Sequence, residues 1–344
     1  MDDGLETGAI DTTLFGADQA AKLDTFFKAL YKGKFGEVHG ILLVHRGKLV
    51  LEEYFPGFRF NGGKTGFTAD DTHHLASVTK SLTSLCVGIA VDKGYIKSID
   101  QPFLDYYPDQ VPDRKTKESI TIRHLLTITA GLEWDESTFP YTDLRNDIVR
   151  FYISADPLQF LLDRKVAVPP GTQWKYCGAC PNLLGDIIYR SSGYPLDKFA
   201  KEFLYAPLGI TKGSWITLHK GFIYASGDAE LRPRDMAKIG MLVLNGGTWK
   251  GKRVVSREWL ELSMRAAERA DASNMYGFLW WLPIIPPAAA DSLGPVYLAS
   301  GWGGQYIAVI PKRDLVLVLT GGNYYDLNDP DLVPILAALL NLFS

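Results

Sequence analysis

The chain is poor in the residues that staple or metallate a fold. It has 344 residues but only three cysteines and six histidines. Cys86, Cys177 and Cys180 are too few, and odd in number, for a disulfide framework. No His-x-x-x-His or His-Glu-x-x-His spacing occurs, so the histidines suggest no metal site, and no cofactor is expected. An excess of one charge is also missing: 36 basic against 39 acidic residues leave a net charge of -3. Nothing in that balance points to nucleic acid or to an anionic membrane as partner. No stretch reaches the ~18 uninterrupted apolar residues of a membrane span. The opening residues, Met1 to Gly16, lack the basic and apolar regions of a signal peptide. Export to the periplasm or the cell exterior, with a leader absent from this chain, is the expectation; a cytoplasmic location is the alternative.

What is present is ordinary globular material, 47% hydrophobic and 22% charged, long enough to bury a large core. Residues 38–54 read VHGILLVHRGKLVLEEY. Two β-branched and Leu-rich runs around Arg46-Gly47-Lys48 predict a hairpin. Near the other end, VYLASGW, GQYIAVIP and LVLVLTGG predict three more strands, with a turn at Lys312-Arg313-Asp314. The long middle is helical in pattern. Residues 78–93 place Leu82, Leu85, Cys86, Ile89 and Ala90 on one face, and Gly94 stands where a helix ends. Pro195 predicts the first turn of another helix, packing Leu196, Phe199, Ala200 and Phe203. Pro233 opens a third, with Met236, Ile239 and Val243 inward, and Ser256 caps a fourth at Arg257-Glu258-Trp259. VPILAALLNLF reads as a terminal helix. The expected fold is α+β: one antiparallel sheet assembled from both chain ends, flanked by helices, with a mainly helical lobe inserted. Residues 1–95 and 220–344 would form the α/β lobe and 96–219 the helical one, together a single catalytic unit.

Ser77-Val78-Thr79-Lys80 is an S-x-x-K at the head of the first of these helices. Residues three apart share a helical face, so the lysine amine can reach the serine hydroxyl. A serine hydroxyl needs a neighbouring base to become a nucleophile. A lysine in a dry pocket can be that base, because burial disfavours its charged form. The helix N-terminus favours negative charge developing on an attacked carbonyl. Such a tetrapeptide also occurs by chance at helix starts with a solvated lysine, so the motif needs its surroundings.

Those surroundings resemble a known family. The segment HHLASVTKSLTSLCVGIAVDKGYIKSIDQPFLDYYP is similar to the nucleophile segment of class C β-lactamase-like serine hydrolases. That superfamily also holds penicillin-binding proteins, D,D-peptidases, D-aminopeptidases, family VIII carboxylesterases and nylon-oligomer hydrolases. The likeness continues through ITIRHLLTITAGLEWDE, residues 168–210, residues 231–260 and ASGWGGQYIAVIPKRDLVLVLTGGNY, from about residue 38 to the end. It implies a β-lactamase/transpeptidase-like fold and three catalytic groups, Ser77, Lys80 and Tyr176. Tyr176 would serve as general base and acid beside the lysine, whose charge favours the phenolate. By itself Tyr176 would read as a core aromatic.

Two departures from the family pattern shape the functional expectation. Where the second motif, Tyr-x-Asn, carries its asparagine, this chain has Gly178. Where the third motif carries Lys-Thr-Gly or His-x-Gly, it has Gly301-Trp302-Gly303, followed by Gly304. The cation that grips a β-lactam or peptide carboxylate is lost with that lysine. The resemblance implies that the N–H groups of Ser77 and Gly304 form an oxyanion hole. Gly178, Gly301, Trp302 and Gly303 would line the substrate, with Trp302 either a wall of the acyl pocket or an ordinary half-buried strand aromatic.

Other features take plainer readings. Cys177-Gly178-Ala179-Cys180 is a C-x-x-C, but zinc needs two more ligands and a thioredoxin motif needs a βαβ context. Two small buried thiols or a local disulfide is the expectation. His73 and His74 suit a solvated or packed loop, and His124 a structural helix. Tyr276, Trp280 and Trp281 suit core packing near the site. The expected activity is hydrolysis of a small ester or amide through an acyl-enzyme, esterase-like rather than β-lactamase-like. The alternatives are a β-lactamase or D,D-peptidase, a non-catalytic binding protein on the same fold, and, on the C-x-x-C alone, a dithiol redox protein. The partner expected is a small-molecule ester or amide; the oligomeric state is left open.

Overall fold

A computed structural model of the protein describes residues 4–8, 19–60, 62–265, 267–324 and 335. The chain divides into two compact units. One comprises Met1–Val78, Glu230–Asn245 and Ile285–Ser344; the other comprises Thr79–Ala229 and Gly246–Ile284.

The first unit is built on a sheet drawn from both ends of the chain. Val38–His45 and Lys48–Tyr54 form the expected hairpin, with His45 opposite Lys48. Its two turn residues, Arg46 and Gly47, both have positive φ, 48° and 75°. That is the turn whose twist matches the flanking strands. Leu315–Gly321 pairs antiparallel with Val38–His45, Gln305–Ile310 with Leu315–Gly321, and Tyr297–Gly301 with Gln305–Ile310. Every residue of the two strands Gln305–Ile310 and Leu315–Gly321 is buried. Strands buried on both faces read as continuous apolar runs rather than as alternation. At the edge, Glu6–Thr7 adds a parallel strand beside Lys48–Leu49, so the sheet is mixed rather than wholly antiparallel. Neither that strand nor the helix Gln19–Tyr31 has a signature in the sequence reading.

The helix Pro233–Leu244 buries Met236, Ile239 and Val243 as its spacing predicts. It also buries charge. The Asp235 carboxylate takes hydrogen bonds from Arg232 Nε at 2.7 Å, Arg232 Nη2 at 3.1 Å and Lys238 Nζ at 3.0 Å, all buried. Two cations on one dry carboxylate hold the first turn in place. Removing the carboxylate would leave buried charge uncompensated, at a cost of ~3–5 kcal/mol.

The second unit is mainly helical. Its Val78–Asp92 helix ends as expected, with Gly94 at φ 75°. Its polar positions are dry as well: Thr79, Ser81, Thr83 and Ser84 are as buried as Leu82 and Leu85. The hydroxyls of Thr79, Ser81 and Thr83 are absorbed internally, while Ser84 Oγ has no hydrogen-bond partner among the described residues. Ser81 Oγ donates to Leu279 O and Thr83 Oγ1 to Ala225 O, both at 2.8 Å, and Thr79 Oγ1 accepts from Ala229 N at 3.0 Å. Short hydroxyl side chains satisfied in this way let a helix pack on all sides. Pro195 stands just before Leu196–Ala200 rather than inside it, and the run continues as a π-turn over Lys201–Tyr205. Ser256 caps Arg257–Ser263 as expected, its Oγ accepting from Trp259 N at 3.2 Å. An antiparallel meander, Glu268–Arg269, Asn274–Tyr276 and Trp281–Pro283, completes the unit. The expected terminal helix, residues 333–343, lies outside the described residues apart from Ile335. No helix among the described residues is long and apolar enough to cross a membrane.

Candidate active site

Ser77 follows a short strand, His73–His74, that pairs antiparallel with Glu230–Leu231. The histidines are therefore in a strand rather than a loop, and His73 is buried. Between strand and helix the chain turns sharply. Ala76 has φ 45°, and Val78 N donates back to Leu75 O at 3.1 Å. A non-glycine residue held left-handed costs ~1–3 kcal/mol and persists only where its surroundings enforce it. Here the turn sets Ser77 at the head of a 15-residue helix.

The strand Tyr297–Gly301 ends against this turn. A Cβ on Gly301 would lie 2.2 Å from Leu75 O and 3.2 Å from Ser77 N. Only a residue without a side chain lets the backbone pass so close. Gly303 and Gly304 then turn with φ 82° and 88°, and a Cβ on Gly303 would strike the Tyr324 ring at 2.4 Å. Trp302 is half-buried on this turn, not within the strand, edge-on to Tyr324 at 5.5 Å and to Phe60 at 6.3 Å. The first and third sequence motifs thus meet at backbone level.

Lys80, three residues after Ser77, is 3% exposed. Its Nζ donates to Ser226 O at 2.7 Å and lies 4.8 Å from the centre of the Tyr176 ring. Burial pulls the lysine below its ordinary pKa; Glu136 opposes this most, followed by Tyr141, Asp228 and Cys177. Tyr176 stacks near-parallel on Trp281 at 6.0 Å, and Trp174 lies 6.2 Å away. Trp280 and Tyr276 are core residues as expected, whereas Trp281 is only half-buried beside Tyr176.

Gly178 begins the helix Ala179–Ser192. Its N–H donates to Glu136 Oε2 at 2.7 Å, and Trp134 Nε1 donates to the same oxygen at 2.5 Å. Cys177 and Cys180 are buried thiols, as is Cys86, so no local disulfide forms. Cys177 and Cys180 line a cavity of about 290 Å³ beside Lys175. His124 closes a capping box with Thr121, the structural role expected of it. Among the described residues no group of three or more His, Cys, Asp or Glu is placed to hold a metal ion.

Sequence reasoning missed Glu136, Tyr141, Asn182, Ser226 and Asp228, all of which act on or near Lys80. Glu136 falls at the end of a segment that carries the family likeness, but no spacing ties it to Gly178. Asp228, at φ 65°, is strained, which no sequence pattern reveals.

A mixed sheet from both chain termini, a helical unit, and a serine–lysine helix start met by a glycine-ended strand define a serine hydrolase of the penicillin-recognition class. The chain belongs to the β-lactamase family, whose model matches residues 36–326. It is 29% identical to the 6-aminohexanoate-dimer hydrolase of Paenarthrobacter ureafaciens, covering 80% of this chain and 70% of that protein. It is 28% identical to esterase EstB of Burkholderia gladioli, covering 60% of this chain and 55% of the esterase. Among solved structures, the octameric penicillin-binding protein homologue from Pyrococcus abyssi superposes with a TM-score of 0.70 at 20% identity, covering 94% of this chain and 77% of that one. A family VIII carboxylesterase gives 0.72 at 18% identity, covering 95% and 98%. These last two likenesses concern the fold.

Proposed function

We propose that the protein hydrolyses a small ester or linear amide through an acyl-enzyme, with Ser77 as nucleophile and Lys80 and Tyr176 as its proton relay. One observation carries this reading. A lysine buried to 3% exposure is bound to a backbone carbonyl and laid over a tyrosine ring, three residues after a serine at a helix head. A solvated structural lysine has no reason to be so placed, and dryness is what makes a lysine a usable base.

The chemistry follows. Ser77 Oγ bonds to the substrate carbonyl carbon while its proton passes to the Lys80–Tyr176 pair. The carbonyl oxygen becomes an oxyanion, for which the N–H groups of Ser77 and Gly304 are the proposed donors. As the tetrahedral intermediate collapses, the bond to the leaving oxygen or nitrogen breaks and the relay returns the proton to it. Water then attacks the acyl carbon and gives its proton to the relay, which passes it to Ser77 Oγ as the acyl bond breaks, releasing the acid and free Ser77.

The relatives support a hydrolase of esters or amides: one is named a hydrolase of the 6-aminohexanoate dimer, another an esterase. The glycine at 301 supports esters and uncharged amides over β-lactams, because no side chain stands there to grip a carboxylate. The test is hydrolysis of p-nitrophenyl butyrate by the wild-type chain and by Ser77→Ala, with mass-spectrometric mapping of fluorophosphonate labelling. Turnover should fall ~10⁴-fold or more in the variant, and the label should sit on Ser77. An alanine variant that keeps most of its turnover, or a label elsewhere, refutes the assignment. No turnover and no label at all would favour the non-catalytic binding protein.

A further inference from the structure

Gly178 and Glu136 form one arrangement. A Cβ on residue 178 would lie 2.8 Å from Glu136 Oε2 and 2.7 Å from Ile148 Cδ1. A side chain at 178 would have to push the Glu136 carboxylate and Ile148 aside. At the position of the family's asparagine the backbone N–H meets an acid from 42 residues earlier in the chain. Glu136 is 4% exposed. A carboxylate so dry must be compensated, and it is: by Trp134 Nε1, by Gly178 N at the start of a 14-residue helix, and by the positive field of Lys80.

The same residues lead to the lysine. The carbonyl of Gly178 accepts from Asn182 Nδ2 at 2.7 Å, and that nitrogen also lies 2.9 Å from Ser226 Oγ. Asn182 Oδ1 accepts from Ala225 N at 2.8 Å, which fixes the loop whose next carbonyl, Ser226 O, receives Lys80 Nζ at 2.7 Å. Asn182 and Ser226 are both buried. From Glu136 to Lys80 these buried hydrogen bonds are joined through the backbone of Gly178 and of Ala225–Ser226.

We propose that Glu136 is the positioning residue of the Lys80–Tyr176 relay. The inference rests on the hydrolase reading above. Glu136 acts in two ways. Through Gly178, Asn182 and Ser226 it holds the carbonyl that aims the lysine. Its charge favours the ammonium form, against the burial that disfavours it. The other groups facing Lys80 are Tyr141, Asp228, Cys177 and the Tyr176 ring, and of the acids Glu136 acts most strongly.

The two actions separate in a pH profile. The neutral lysine is the base, so activity falls as pH drops through its pKa. Removing the Glu136 charge lowers that pKa and moves the acid limb to lower pH. The experiment measures fluorophosphonate labelling of Ser77 and kcat for p-nitrophenyl butyrate, from pH 5 to 10, in the full chain and in Glu136→Gln and Glu136→Asp. For Glu136→Gln the plateau should fall ~10-fold or more, with KM changing less than kcat. Its acid limb should move by about one pH unit or more downward. Glu136→Asp, which keeps the charge, should return the limb toward the wild-type position. A Glu136→Gln limb at the wild-type pH overturns the inference, whatever the plateau does. Should Glu136→Gln fail to fold by circular dichroism, Gly178→Ala decides. Its methyl pushes the carboxylate away and should move the limb in the same direction, and an unmoved limb overturns the inference. A wild-type chain in which Ser77 does not label overturns the hydrolase reading and this inference with it.

Discussion

Lys80 and Tyr176 meet with the ammonium nitrogen 4.8 Å from the ring centre, while that nitrogen is tied to Ser226 O at 2.7 Å. A lysine held to a neutral carbonyl and a π-face keeps partners in either protonation state, so it can give up its proton without losing its place. Trp281, stacked on Tyr176, limits the tyrosine's swing.

Residues that share one proton relay lose their function together. Lys80→Ala and Tyr176→Phe should each reduce kcat by ~10²–10⁴-fold, and the double variant should be little worse than the more damaged single one. Steady-state kinetics of the three proteins checks this. Losses that multiply would show two independent contributions.

Restoring the family's lysine at 301 should not restore β-lactamase chemistry. Any Cβ there falls 2.2 Å from Leu75 O, so Gly301→Lys forces apart the strand and the turn before Ser77. Both Gly301→Ala and Gly301→Lys should lose stability by ~1–3 kcal/mol and lose most ester hydrolysis. Urea midpoints and p-nitrophenyl butyrate rates on the same samples decide it; a fully active Gly301→Lys would be the contrary result.

With no cation at 301, the wild-type protein should cleave p-nitrophenyl butyrate with a higher kcat/KM than nitrocefin. The missing charged contact to the β-lactam carboxylate corresponds to roughly 10- to 100-fold. Measuring both substrates on one preparation tests it. A nitrocefin value at or above the ester value would return the chain to the β-lactamase branch.

Stability should fall in mild acid because of His73. It is 3% exposed, stacked on Phe67 at 4.6 Å and 5.6 Å from His39, and its Nε2 has no hydrogen-bond partner among the described residues. Burial pushes its pKa from 6.5 down to about 3; His39 and Arg59 add to this and Asp71 opposes it. Between those two values the unfolded chain binds a proton that the folded one refuses. Stability is therefore complete above about pH 6.5 and declines as pH falls toward about 3. His73→Phe should flatten the decline, leaving the smaller share due to His39, whose pKa burial also lowers. Urea midpoints at pH 7 and pH 4.5 test the pair, and an equal decline in the variant would clear His73.

The sequence alone determined what depends on neighbours along the chain. The hairpin at Arg46-Gly47, the buried terminal strands, the end of the helix at Gly94 and the Ser256 cap are written in residue order, because turns and caps act over two to four residues. So is the pairing of Ser77 with Lys80, since one helical turn brings any such pair to the same face. Tertiary structure alone decided the rest. The hydroxyls of Thr79, Ser81 and Thr83 look like a wet helix face until the carbonyls and the amide that take them up are seen. Gly301 and Gly178 look like lost side chains. Packed, they are positions where one would have to push against Leu75 O or the Glu136 carboxylate. Hydrophobic period and capping chemistry record local geometry. The close approach of two distant segments is set by how the whole core packs, and no spacing in the sequence records it.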